Sequence, residues 1–428
     1  MNMFSGKFLA GSLLLFSAAF ASAGTSINGI WEGTSSFRGQ QVPVRLQISG
    51  TPSNLKAALL NGPEQTVASS VSLSDDKLII QFNYFARSLE AKIEGDQLTG
   101  TFGLVSPGTP AHPSAPRVPL VLRHTSAQPQ TSQQGPDITG DWEVAVKSSK
   151  GESAWQLRID PPSKQASPSR AVIQRIDGDT GSLYGSWDGH QYVFSHFTAA
   201  GLAFYSVVPQ TDGTLLVSNL IAPEAQRAQV QNLVARRPAD ARKHNLAAPT
   251  GSTEQTSVND PSVPFAFSFP DLAGKPVSNT DPRFAGRVVI VAIGGSWCPN
   301  CHDEAPFLES LYKKFHSRGL EIVSLSFEEE DQLKDPTRLR AFIKKYGLTY
   351  TVLVAGTPDE LNEKIPQADH LNCWPTSFIL GRDGRVKEVH AGFAGPANPP
   401  AHEALQNEVT ATVEKLLAEP SPTQSASR

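Results

Sequence analysis

Across the first half of the chain, apolar and polar residues alternate over short spans, as in Val42-Pro43-Val44-Arg45-Leu46-Gln47-Ile48, Leu78-Ile79-Ile80-Gln81-Phe82 and Gln191-Tyr192-Val193-Phe194. A period of two sends every second side chain to the same face, so these spans predict strands with one face buried and the other wet. Turn signals at Asp75-Asp76, Gly95-Asp96, Asp188-Gly189 and Asp212-Gly213 divide them. Short strands separated by such turns predict antiparallel β domains, small barrels or sandwiches. Beyond Arg287 the pattern changes. Val288-Val289-Ile290-Val291-Ala292-Ile293 is unbroken and rich in β-branched residues, which suits a strand buried on both faces. Gly294-Gly295 ends it, and from Cys301 the apolar positions Ala305, Leu308, Leu311, Tyr312 and Phe315 recur at helical spacing. A hairpin is predicted before this unit, at 265–277. After it come strands at 320–326, 350–354, 376–380 and 385–390, helices at 338–346 and 360–365, and a closing helix at 402–417. That order predicts an α/β domain with a mixed sheet.

The first half carries an internal repeat. Ile27-x-Gly29-x-Trp31-Glu32 is echoed by Ile138-x-Gly140-x-Trp142-Glu143, and Leu120-Val121-Leu122-Arg123 by Leu233-Val234-Ala235-Arg236. The near-constant offset predicts two copies of one β domain, at 24–124 and 138–237. The stretches 125–137 and 238–262, rich in Ser, Pro, Gln, Thr and Ala, are expected as unpacked linkers, with the α/β domain at 263–418 and a loose tail at 419–428. Residues 1–23 carry Lys7, an apolar run from Phe8 to Phe20, and Ala21-Ser22-Ala23, the layout of a secretory signal cleaved near Ala23/Gly24. The run is short for a membrane span, so no stable membrane insertion is expected. A periplasmic or secreted location follows. With 428 residues the chain exceeds one ordinary core, and a net charge of −4 gives no footprint for nucleic acid. The three cysteines, Cys298, Cys301 and Cys373, all lie in the last third, too few and too clustered for a disulfide scaffold.

The candidate chemistry is Cys298-Pro299-Asn300-Cys301, placed by the pattern on the first turn of a helix. Free N–H groups and the positive end of the macrodipole stabilise a thiolate there, which makes Cys298 the candidate nucleophile. Cys301, one turn further in and expected to be better buried, is the candidate resolving thiol. Pro299 fits because a first-turn residue has no intrahelical N–H bond to lose. Cys-x-x-Cys-His302 is also the spelling of a c-type haem attachment, but the only methionines are Met1 and Met3, inside the leader. A zinc site would need Cys298, Cys301, Cys373 and a histidine without a second paired motif. Dithiol–disulfide exchange, with no cofactor and no metal, is the reading these surroundings favour.

Trp297-Cys298-x-x-Cys301-x-x-Glu304-x-Pro306, with Trp374-Pro375-Thr376 further on, resembles the extracytoplasmic TlpA/ResA branch of thiol-disulfide oxidoreductases in the thioredoxin superfamily. The likeness covers roughly 264–417. It implies a thioredoxin fold, a cis Pro375 opposite the cysteines, and a Glu304 carboxylate that influences their protonation. It also implies a Trp297 that shields sulfur or docks substrate, and as partners a protein disulfide substrate and an electron-donor protein. Asp303 and Glu304 would raise thiol pKa values and favour a reductase, with His302 opposing them if protonated. Gly294-Gly295, where the family often has a bulky aromatic, and Cys373-Trp374 depart from the pattern and bear on substrate choice. Cys373 is read as a buried apolar sulfur or, more sharply, as a third redox thiol able to pair with Cys301. The repeats resemble lipocalin-like barrels, in which a closing-strand arginine lies over the opening tryptophan. The plainer reading makes Trp31, Trp142 and Trp187 core aromatics of domains that space or dock the catalytic one. From another functional class, the chain would be a binding or scaffold protein whose thioredoxin domain is idle.

Overall fold

The computed structural model describes residues 27–108, 115–125, 135–162 and 168–420. The expected leader and its cleavage point, most of the first linker and the end of the tail lie outside the described residues.

The first repeat is a nine-stranded antiparallel sheet that runs up and down and curls until the opening strand Gly29–Phe37 lies between Gln40–Thr51 and the closing strand Val118–Thr125. It stays open between Glu64–Val67 and Ser70–Ser74. Alternation works as expected: Val42, Val44, Leu46 and Ile48 are buried, while the intervening residues face outward. Burying each such side chain contributes about 1.5–3 kcal/mol relative to leaving it in water. The second repeat also has nine strands along the same path, but Ala154–Asp160 pairs with Ser169–Arg175, and that strand with Leu183–Trp187. These pairings close a ring of eight strands and leave the short Gly178–Asp179 outside it, on the end of Ser169–Arg175.

Both repeats anchor their tryptophan alike. Trp31 Nε1 donates to the Ile27 carbonyl and Trp142 Nε1 to that of Ile138, each at 2.9 Å. The residue expected over each ring is corrected by strand parity. In the closing strand Leu120 and Leu122 point inward, so Arg123 faces out toward Asp96 and His124 meets Trp31 edge-on, centroids 5.1 Å apart. In the second repeat Ala235 points inward, so Arg236 turns to Asp240 and Arg237 lies 3.7 Å over Trp142. The glycine two residues before each tryptophan leaves room for this partner: a Cβ on Gly29 would stand 2.3 Å from His124 Nε2, and one on Gly140 2.7 Å from an Arg237 nitrogen.

The stretch expected as a second linker is packed. Pro238–Lys243 is a helix with Ala241 buried, and Ser257–Val258 pairs with Ala368–Asp369. Thr256, buried beside it, donates to the His370 carbonyl at 3.1 Å.

The last domain holds a five-stranded sheet in the order Thr351–Gly356, Leu320–Phe327, Val288–Gly294, Thr376–Leu380, Val386–Ala391. The first three strands are parallel and the last two antiparallel to their neighbours. Val288–Gly294 is central and buried throughout. The helices Pro299–Phe315, Thr337–Tyr346 and Pro399–Ala418 pack on one face through Leu308, Leu311, Phe342, Val409 and Val413. Phe265, Phe267 and Leu361 cover the other. No helix among the described residues is long and apolar enough to cross a membrane.

Candidate functional site

The central strand delivers the chain to the site through Gly294-Gly295, and the crowding there explains the glycines. A Cβ on Gly294 would stand 3.0 Å from Cys301 Sγ, and one on Gly295 only 2.4 Å from the Phe327 carbonyl oxygen. The next residues are held by a buried ionic knot. Glu328, fully buried, accepts from the Ser296 N–H at 2.8 Å and the Ser296 hydroxyl at 2.7 Å. Arg338 donates to that hydroxyl and to Glu328, both at 2.7 Å. The Trp297 indole donates to the Phe327 carbonyl at 2.9 Å and meets Trp374 edge-on at 5.3 Å.

Cys298 then caps the helix Pro299–Phe315 in extended geometry, and its sulfur accepts the Cys301 N–H at 3.2 Å. One of the orphan donors of the first turn is therefore aimed at that sulfur. Cys301 was expected to be the better buried; instead Cys298 is 2% exposed and Cys301 6%. Burial raises the Cys301 thiol well above its ordinary range, reinforced by Cys298 and the Glu304 carboxyl. Glu304 is itself pushed up to about 7 by burial, although the Ser377 hydroxyl donates to it at 2.8 Å. A cavity of about 20 Å³ lies between Cys301, Glu304 and the two glycines. The Trp374–Pro375 peptide is cis.

Two sequence-predicted residues, His302 and Asp303, behave differently from expectation, while Cys373 takes the buried apolar role. His302 cannot supply positive charge: burial lowers it to about 3. Its Nε2 lies 2.9 Å from the Ser296 carbonyl, an acceptor, so Nε2 carries the proton and Nδ1 accepts from the Tyr346 hydroxyl at 3.0 Å. Neither nitrogen is free to ligate iron in this arrangement. Asp303 lies away from the sulfurs, in a cleft beside Asp179 and Glu64, where burial and those carboxylates push it up to about 8. Cys373 is fully buried, clustered with Ile176 and Ala391, and burial raises it to about 12. Among the described residues the donors grouped closely enough for one metal ion are Glu388, His390 and Glu408, none of them a cysteine.

Residues from both repeats complete the site. The Asp177 carbonyl accepts from Asn300 Nδ2 and from the Phe393 N–H, both at 3.0 Å, and its carboxylate accepts the Trp374 N–H at 3.1 Å and pairs with Lys150. Phe85 stacks on His302 with centroids 3.9 Å apart. Sequence reasoning missed these two, together with Glu328, Arg338 and Ser377. Only Glu328, a carboxylate straight after a buried strand, left a local signal.

Residues 262–389 match the AhpC/TSA family. The chain is 31% identical over 126 residues to thiol-disulfide oxidoreductase ResA of Bacillus thuringiensis (strain Al Hakam), covering 29% of this chain and 66% of that protein. Against ResA of Bacillus subtilis (strain 168) it is 28% identical over 126 residues, with 29% and 64% covered. The chain thus spans just under two thirds of these relatives. A solved thiol:disulfide interchange protein of the thioredoxin family from Chlorobium tepidum TLS is 25% identical, over 36% of this chain and 97% of that one, with a TM-score of 0.30. The C-terminal domain is a thioredoxin-fold domain. Over the matched residues it is similar to the ResA thiol-disulfide oxidoreductases.

Proposed function

We propose that the protein is an extracytoplasmic thiol-disulfide oxidoreductase working in the reducing direction. The observation that carries this is the Cys301 N–H aimed at Cys298 Sγ at the helix start, with Glu304 buried behind the pair. The Cys298 thiolate attacks one sulfur of a substrate disulfide, forming a mixed disulfide and releasing a substrate thiolate. Cys301 then gives up its proton and attacks the Cys298 sulfur, which forms the Cys298–Cys301 disulfide and frees the second substrate thiol. Because burial holds Cys301 protonated, that step needs a base, and a carboxyl near 7 is matched to the task at neutral pH. Two electrons from a donor dithiol protein restore the reduced pair. Disfavouring the Cys301 thiolate supports the reducing direction. Trp297, Trp374 and Pro375 would form the docking surface, with Cys373 as an apolar wall. The leader-like residues 1–23 support the location.

The test is insulin disulfide reduction with a thiol donor, together with equilibration against glutathione. Turnover lost in Cys298→Ser and a potential below roughly −200 mV are expected; a value near about −120 mV would reverse the direction. The closed state of Cys298, 2% exposed, favours a second reading in which the domain is an idle scaffold. That reading requires the wild type to show no turnover.

A further inference from the structure

A cleft of about 610 Å³ opens between the two β domains and the start of the redox helix, and Pro299 and Asn300, the residues between the cysteines, form part of its wall. We propose that this cleft receives a cationic side chain, the lysine or arginine of a disulfide substrate that carries one beside its reactive cysteine. The proposal rests on the reading of Cys298 as the attacking thiol and adds the substrate class.

The cleft holds more acid than its own cations answer. Glu64, Asp179 and Asp303 line it, and among the described residues none of them forms an ion pair. Lys345 is spent on the Tyr84 ring, 3.5 Å from its centroid, and Arg175 on the Trp155 ring and the Tyr205 hydroxyl, at 5.2 and 3.2 Å. Asp179 is only 7% exposed; its Oδ1 accepts the Gly181 N–H at 2.7 Å, while Oδ2, beside the Gly395 backbone, makes no well-formed hydrogen bond. The Ser182 hydroxyl, 2% exposed on the same wall, has none either. A buried acceptor left poorly satisfied is unfavourable, and a ligand that donates to it would remove that penalty. Asp303 and Asp179 are neighbours on the wall: both Oδ2 atoms lie against Gly395, 2.5 and 3.0 Å from where its Cβ would stand. Two neighbouring carboxyl groups suit the forked donors of a guanidinium. Burial raises both carboxyl groups, as expected of acids lacking a counter-charge. A bare metal ion fits less well, because these carboxylates are not among the donors grouped tightly enough to share one.

The experiment uses seven-residue peptides with a central cysteine held as a mixed disulfide to thionitrobenzoate and flanked by arginine or by its neutral isostere citrulline. With the full-length protein, the arginine peptide should have a kcat/KM about tenfold higher, through KM, as expected of a charge-assisted hydrogen bond. Asp179→Asn should bring the ratio to within about threefold, and Ser182→Ala serves as the second variant should Asp179→Asn fail to fold. A wild-type ratio near one, or a ratio unchanged in a folded variant, overturns the proposal. Calorimetry on Cys298→Ser with the cysteine of each peptide replaced by serine separates the two readings. Binding of the arginine peptide alone keeps the site even where no thionitrobenzoate is released. Equal binding of both peptides, or heat from Ca²⁺ with none from either, sinks it.

Discussion

The two β repeats follow the same path and dock through the same two turns, with the partners exchanged. In the first, the turn after the third strand meets the second repeat, where Asn61 Nδ2 donates to the Ser182 carbonyl at 2.8 Å. The turn after its sixth strand, Asn83–Phe85, meets the thioredoxin domain and stacks Phe85 on His302. In the second repeat the turn after the third strand carries Asp177 to Asn300 and Trp374. The turn after its sixth strand goes back to the first repeat, where Ala199 joins the core and its carbonyl accepts from Arg87 at 3.3 Å. Strand order is the same in both while the turns differ, and two of those turns reach the residues on either side of Cys301. One holds the residue after Cys301, the other the residue before it.

The largest expected effect separates holding from covering. Phe85→Ala removes a buried ring from both the first core and the His302 stack, and should cost about 3–5 kcal/mol in denaturant unfolding while changing Cys298 alkylation by iodoacetamide little. Asp177→Ala frees the Trp374 N–H and Lys150, should cost about 1–3 kcal/mol, and should speed alkylation severalfold. Equal alkylation rates in the two variants would mean that the second turn only docks.

The turns should also part with pH. His302, against the first repeat, falls from 6.5 to about 3, so the folded state binds fewer protons than the unfolded one; its contribution is lost as pH falls from about 6.5 toward 3. Asp303, against the second, rises from 3.8 to about 8, so the folded state holds a proton the unfolded one has released; that contribution is lost as pH climbs from about 4 to 8. Limited proteolysis should therefore find the Asn83–Phe85 turn loosening in acid and the Asp177 turn loosening toward pH about 8. Asp303→Asn should weaken the alkaline arm, the rest of which belongs to Glu304 and Asp179, whose carboxyl groups burial also raises, and should leave the acid arm unchanged. Loosening of both turns together would show one cooperative interface.

Much of this architecture could be read from the residues. Val42 to Ile48 and Val288 to Ile293 declare one-sided and two-sided burial through period and β-branching, and Glu304, three residues past Cys301 on a helix, had to lie on the same face. The docking turns could not be read, because Asp177 and Trp374 lie 197 residues apart and nothing local in an Ile-Asp-Gly turn announces a partner. The second linker misled through composition: its Ser, Thr and Gln looked loose, yet Pro238 at a helix start followed by Ala-Asp-Ala-Arg-Lys is a good helical opening.

The smallest effect concerns the tryptophan partners, where the repeats share a frame and differ by one side chain. Arg237 lies 3.7 Å over Trp142 with a donor 3.3 Å from the Asp141 carbonyl, so Arg237→Ala forfeits a cation–π contact and a hydrogen bond. A loss of about 1–2 kcal/mol is expected. His124 meets Trp31 by its edge and reaches the Asn28 carbonyl at 3.0 Å from a half-buried position, so His124→Ala should cost about 0.5–1 kcal/mol. Neither residue touches the redox site, and insulin turnover should hold in both variants. If His124→Ala proves as costly as Arg237→Ala in denaturant midpoint, the arginine adds nothing beyond filling the space that Gly140 leaves, and the two closures are energetically the same device.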